Sequence, residues 1–135
     1  NIVSVPSLGY GEAIDLAVCD VSFTSISVIL PATIELLCPH GRFVTLVKPQ
    51  FEARPEEVGE GGIVSDPAVH ARVLESAIRL FDGSGLDPID ICASPIKGAK
   101  GNREFFLYGR KRAADEAPSV PSDHIELLIA RAGAL

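Results

Sequence analysis

Three charged residues, Asp20, Lys48 and Glu104, each stand at the border of a short apolar run, where a solvated surface charge is not the ordinary occupant. Asp20 follows Ile-Asp-Leu-Ala-Val-Cys (residues 14–19), Lys48 follows Phe-Val-Thr-Leu-Val (43–47), and Glu104 leads into Phe-Phe-Leu-Tyr (105–108). A lysine held between carboxylates can orient a hydroxyl and, as the free amine, take up its proton, which is general acid–base chemistry. Such chemistry needs all three side chains on one rim, although they come from distant stretches of chain.

The elements around them supply that rim. The run 14–19 predicts a strand buried on both faces, hence a parallel sheet, and 43–47 repeats the pattern. Between them Ser25 to Cys38 reads as helical, with Pro31 starting or kinking the helix and Pro39, His40 and Gly41 ending it. Residues 52–66 form an acidic loop with Gly59, Gly61 and Gly62. Asp66 and Pro67 then predict a helix start, and Val69, Val73, Leu74, Ala77, Ile78 and Phe81 fall on one face before Gly83 and Gly85. Strands are expected at 89–93 and 104–108. The link Ser94 to Arg103 is too short for a crossover, so these two should be antiparallel neighbours. Residues 113–121 read as a linker, and Ser122 as the cap of a closing helix with Ile125, Leu128, Ile129 and Ala132 on one side. The order β-α-β-α-β-β-α puts Asp20 and Lys48 at carboxyl ends of parallel strands, where such sheets bind ligands. Glu104, at the start of a reversed strand, lies at the same edge.

At 135 residues the chain fits a single domain. No apolar run approaches the ~18 residues of a membrane helix, so a membrane partner is not expected. Cys19, Cys38 and Cys92 are odd in number and widely spaced, with no Cys-x-x-Cys pair. Buried free thiols in a reducing, cytoplasmic setting are expected, and no metal site. The net charge of −6 excludes a basic coat, yet residues 97–112 hold six cations against the one acid Glu104. A local patch of this kind can meet a phosphate backbone; for Arg110, Lys111 and Arg112 the alternative is a solubilised strand end. The chain starts at Asn1 and contains no Met, so it is expected to be a piece of a longer protein.

Four blocks carry a resemblance: Val18-Cys19-Asp20-Val21-Ser22-Phe23, Leu46 to Ala53 (Leu-Val-Lys-Pro-Gln-Phe-Glu-Ala), Gly61 to Pro67, and Ser94 to Gly98 continuing through Gly101-Asn102-Arg103-Glu104-Phe105. In order and spacing they resemble the TlyA family, hemolysin-like ribosomal RNA 2′-O-methyltransferases with an FtsJ-type catalytic domain. The resemblance runs from about Asn1 to Arg110. It implies a partial Rossmann-like α/β methyltransferase fold, a mostly parallel sheet with one antiparallel strand. Residues 1–112 would be the C-terminal half of the domain, and 113–135 a linker and C-terminal helix.

By motif matching, Asp20, Lys48 and Glu104 resemble the last three members of a Lys-Asp-Lys-Glu tetrad. The resemblance implies S-adenosylmethionine as cofactor, with Asn1, Ile2 and Asp20 toward its pocket, and ribosomal RNA or ribosomal subunits, with cytidines the target, as partner. Lys97, Lys100 and Arg103 would meet RNA phosphates, or else form a solvated turn. The first lysine and the cofactor's glycine-rich loop are missing from the sequence, and Gly59 to Gly62 lacks the spacing to replace that loop. The isolated chain is therefore expected to be inactive. Two alternatives stay open: a non-catalytic RNA- or protein-binding remnant of the fold, and a base amino-group methyltransferase, whose aromatic-ended motif Asp20-Val21-Ser22-Phe23 only superficially matches. Homodimer formation is left open as well.

Overall fold

A computed structural model describes residues 2–5 and 9–135. Four strands, β1 (Ile14–Cys19), β2 (Leu37–Val47), β3 (Leu86–Ala93) and β4 (Phe105–Lys111), form one sheet in the order β1-β2-β4-β3. β1 and β2 are parallel, while β4 runs antiparallel to both β2 and β3. Three strands thus share a direction and one opposes them, the α/β sheet expected from the sequence. The helices are α1 (Ile26–Leu36), α2 (Pro49–Glu52), α3 (Pro67–Gly83) and α4 (Ser122–Gly133). Among the described residues no helix is long and apolar enough to cross a membrane.

Local chemistry explains most boundaries. Ser25 caps α1 by accepting from the Ser27 amide at 3.1 Å. Asp66 caps α3 by accepting from the Ala68 amide at 2.8 Å, and Pro67 occupies the first helical position. Gly85, at φ 87°, turns the chain out of α3 and into β3. Phe43, Val47, Ile91, Phe105 and Leu107 point to one face of the sheet and are fully buried with Leu74, Ile78 and Phe81 of α3. Phe43 and Phe81 stack with ring centroids 5.5 Å apart.

Several expectations need correction. β1 is not buried on both faces: Leu16 is 53% and Val18 72% exposed. β1 ends the strand order, and the alternate residues of its neighbour, Val44 and Leu46, are likewise only partly covered. Apolar composition reports what a strand is suited to bury, not what lies across from it. α1 ends at Leu36, not at Pro39–Gly41, because β2 begins immediately at Leu37. Pro39, His40 and Gly41 instead form an irregular stretch of β2: from Ile14 to Leu16 in β1, the partner runs from Leu37 to Arg42. His40 takes a left-handed φ of 64° there. Pro31 lies inside α1 without ending it. Ser122 is the first residue of α4; Pro121 holds the cap position and contributes no side-chain bond. Of the cysteines only Cys19 is buried, Cys38 being intermediate and Cys92 exposed.

The basic strand end is consumed by internal pairs. Arg110 bonds Asp87 and Glu116, Lys111 bonds Glu12 and the Leu37 carbonyl, and Arg112 bonds Asp82 and Asp87. These three residues lie at the end of the sheet far from Lys48, since Arg110 pairs with Arg42 while Phe105 pairs with Val47. They are structural cations rather than a phosphate patch.

Candidate active site

The antiparallel placement of β4 decides the geometry of the site. Asp20 follows β1, Lys48 follows β2, and Glu104 precedes the reversed β4, so all three stand on one rim. Lys48 Nζ lies 2.6 Å from Asp20 Oδ1 and donates to Ser22 Oγ at 3.1 Å. The lysine side chain is only 12% exposed, whereas Asp20 is 69% exposed. The ammonium thus rises from a covered stem to a carboxylate that faces solvent.

Glu104 is brought to the same rim but not to the lysine: no ion pair within 4.0 Å joins Lys48 to Glu104. Its partner is Gln50, whose Nε2 donates to Glu104 Oε1 at 3.1 Å. Glu104 is 7% exposed, and its carboxyl group rests on Gly98, where an added Cβ would come within 2.1 Å of Oε1. Only a glycine fits at that position without displacing the carboxylate. Asp20 and Glu104 both line a cavity of about 340 Å³ walled by Val18, Leu46 and Phe106.

The short helix α2 explains why Lys-Pro-Gln-Phe-Glu forms one block. Lys48 is its N-cap residue and Pro49 its first helical residue, so the chain turns at once after β2. Gln50 then reaches Glu104, and Phe51 reaches Phe23 at 5.1 Å between ring centroids. Glu52 accepts from Ser25 Oγ at 2.8 Å and from the Ile26 amide at 2.7 Å. That carboxylate therefore sits on the first turn of α1, satisfying an amide the helix cannot satisfy itself. Burial pushes the Glu52 carboxyl up from its ordinary value, and the two donated bonds only partly offset this. Glu52→Ala should cost about 1–2 kcal/mol, the scale of a lost helix cap. Glu52→Gln, which keeps an acceptor for the Ile26 amide, should lose less; urea unfolding of both variants checks the order.

Phe23 is 91% exposed and holds a left-handed φ of 62°. It borders a cavity of about 190 Å³ shared with Phe51, Gln50, Gly61, Lys100 and Asn102. Lys97, Lys100 and Arg103 are all exposed on the loop between β3 and β4, and Arg103 lies 5.9 Å from the centroid of the Phe105 ring. Ile2 and Asp20 share a cleft of about 210 Å³ with Val21, Ile29, Thr33 and Phe43. Asn1 lies outside the described residues. Among the described residues no group of three or more His, Cys, Asp or Glu side chains is placed to hold a metal ion.

The sequence motifs contain Gln50, Glu52, Gly98 and Asn102 but assign none of them a role. The available signal was position: Gln50 and Glu52 stand two and four residues after Lys48, and Gly98 and Asn102 six and two residues before Glu104.

Comparison with known proteins adds an independent line. The family model of FtsJ-like methyltransferases matches residues 3–111. The chain is 40% identical over 100 residues to the 16S/23S rRNA (cytidine-2′-O)-methyltransferase TlyA of Mycobacterium tuberculosis, covering 74% of this chain and 37% of that protein. It is 40% identical over 97 residues to Hemolysin A of Brachyspira hyodysenteriae, covering 72% of this chain and 40% of that one. A solved structure from Streptococcus thermophilus that carries a hemolysin label superposes with a TM-score of 0.81 at 35% identity, over 99% of this chain and 48% of that chain. The chain thus spans well under half the length of these two curated relatives. The resemblance to TlyA proteins agrees with all of these matches, and the chain belongs to the FtsJ-like methyltransferase family.

Proposed function

We propose that this chain is the substrate-facing part of an S-adenosylmethionine-dependent ribose 2′-O-methyltransferase whose target is cytidine in ribosomal RNA. The observation that carries the reading is the Lys48 ammonium, held 2.6 Å from Asp20 at the carboxyl edge of the sheet, with Glu104 on the same rim. Family membership supports methyl transfer, and the name of the Mycobacterium relative supports the ribosomal target and the nucleotide.

The cleft beside Asp20 suits part of such a cofactor. Its walls are mainly apolar, as the face of an adenosyl group requires, and its one carboxylate would favour a nearby cation. Ile2 and Asp20 would hold that part. When bound, the cofactor supplies an electrophilic methyl group on a sulfonium. A ribose hydroxyl is a poor nucleophile at neutral pH, so the protein's task is to aim it and to manage its proton. Lys48, once it has released one of its own protons to solvent, takes up the hydroxyl proton, and Asp20 and Ser22 hold its nitrogen in one orientation. Glu104, fixed by Gln50, positions the ribose from the other side. Alignment of this kind lowers a barrier by as much as about 7–11 kcal/mol.

The RNA side has its own supports. A bulky residue in left-handed backbone costs of order 1–3 kcal/mol, and here it holds the exposed ring of Phe23 beside a cavity 190 Å³ in volume. Such a ring suits stacking of an unstacked base, the usual means of single-stranded RNA recognition. Lys100 lines that cavity and Lys97 the one shared by Asp20 and Glu104, and with Arg103 they are exposed cations available to phosphates.

The test is the chemical position of the methyl group. The full-length protein, incubated with labelled S-adenosylmethionine and ribosomal subunits, should yield 2′-O-methylcytidine after nuclease digestion. Label on a base amino group would overturn the reading in favour of a base methyltransferase. Binding of RNA without label transfer would leave a non-catalytic module.

A further inference from the structure

We infer that Asn102 is a positioning residue, fastening the glycine loop of residues 59–64 to the loop that carries Glu104 and so setting where that carboxylate stands. The inference rests on the reading of Glu104 as part of the reacting site.

Asn102 is 3% exposed, and its side-chain amide is hydrogen-bonded on both ends. Oδ1 accepts from the Val64 amide at 3.0 Å, and Nδ2 donates to the Gly62 carbonyl at 2.9 Å and the Ala99 carbonyl at 3.3 Å. Two of these bonds cross to the glycine loop, which is closed on itself by the Gly59–Ile63 bridge. The third stays within the loop before β4, which is closed by the Gly98 amide donating to the Asn102 carbonyl at 2.8 Å. Glu104 rests its carboxyl group on Gly98 of that same closed loop. Any movement of residues 98–102 therefore moves the surface on which Glu104 lies, and Asn102 is the side chain that stops such movement. It also ties Gly62, which lines the Phe23 cavity, to the carboxylate's own loop. The wall of the proposed base site and the carboxylate of the proposed ribose site are in this way one unit.

Asparagine is chemically specific here. Aspartate has the same shape and can still accept from Val64, but it offers no donor to Gly62 or Ala99 and sets an acceptor against two carbonyls. His70 supplies a control. Its Nε2 bonds the Val64 carbonyl at 2.9 Å, anchoring the same loop from α3 with no side-chain hydrogen bond to residues 98–102, and its ring meets Phe105 edge-on at 5.5 Å.

The experiment compares Asn102→Asp with His70→Leu in the full-length protein, with two readouts. One is methyl transfer, separated into kcat and KM; the other is the side-chain amide resonance of Gln50, which reports the bond to Glu104. Asn102→Asp should lower kcat by about 10²-fold, the effect of roughly ångström-scale misplacement, and should shift the Gln50 resonance. His70→Leu should lower thermal stability with kcat and the Gln50 resonance retained. If Asn102→Asp fails to fold, Asn102→Ser is read the same way. An unchanged kcat in the Asn102 variant, an equal kcat loss in His70→Leu, or an unmoved Gln50 resonance overturns the inference. If the wild-type protein transfers no methyl group, the proposed function falls. The Gln50 resonance alone then decides whether Asn102 sets Glu104.

Discussion

Lys48→Ala is expected to reduce methyl transfer by about 10²–10⁴-fold, the range for loss of a positioned proton-handling group. In free energy this is about 2.7–5.5 kcal/mol of transition-state stabilisation. The same substitution should barely change folding. The partner carboxylate Asp20 is 69% exposed, so losing the ammonium leaves it hydrated rather than stranded. Pairs of that kind contribute about 0–1 kcal/mol to stability. This split between large kinetic and small thermodynamic effects distinguishes a reacting group from a structural ion pair. Single-turnover methyl transfer measured beside urea unfolding checks both halves, and full activity in the alanine variant would remove Lys48 from the mechanism.

Asp87→Asn should show the opposite split. Asp87 is fully buried, and Arg112 Nε donates to its Oδ1 at 2.6 Å while Arg110 Nη2 donates to Oδ2 at 3.3 Å. The Ser119 amide and hydroxyl complete the shell and tie the segment before α4 to β3. Removing one partner of a buried ion pair costs about 3–5 kcal/mol, and the loss here falls at the low end because Arg110 keeps Glu116 and Arg112 keeps Asp82. Burial pushes the Asp87 carboxyl up, but the bonds from Ser119, Arg112 and Arg110 outweigh it, and the group is held below its ordinary value. A lowered folded-state value gives stability that is complete above the unfolded value of about 3.9 and is lost as pH falls through the folded one. Wild-type stability should therefore decline below about pH 4 with a steeper acid limb than that of the variant. Urea midpoints collected from pH 2 to 7 measure the difference; parallel curves would remove Asp87 as the source.

How far the sequence reveals the molecule depends on whether a feature is local. β1 at Ile14–Cys19 and the Asp66–Pro67 start of α3 were legible because a compact apolar run and a cap-plus-proline pair are local signals. The shared rim was legible too, because the short link between β3 and β4 forces a reversal and puts Glu104 at the edge where Asp20 and Lys48 end their strands. Exposure of Val18 was not legible, since an apolar strand looks the same whether its second face is covered or bare. Nor was the partner of Glu104: spacing could bring it near Lys48 but could not show that Gln50 would reach it first. Asp87 lay hidden in the middle of Leu86-Asp87-Pro88 for the same reason. Its partners come from β4 and from Ser119, and only the completed sheet brings them together.

Asp20 and Lys48, from separate strands, are expected to act as one reacting unit. A double-mutant cycle on Asp20→Asn and Lys48→Ala, read by single-turnover methyl transfer to ribosomal RNA, tests it most directly. Side chains that work as a unit lose their contribution together. The double variant should then be no slower than Lys48→Ala alone. Losses that multiply would mean two independent groups, and the 2.6 Å contact between them would have no part in the chemistry.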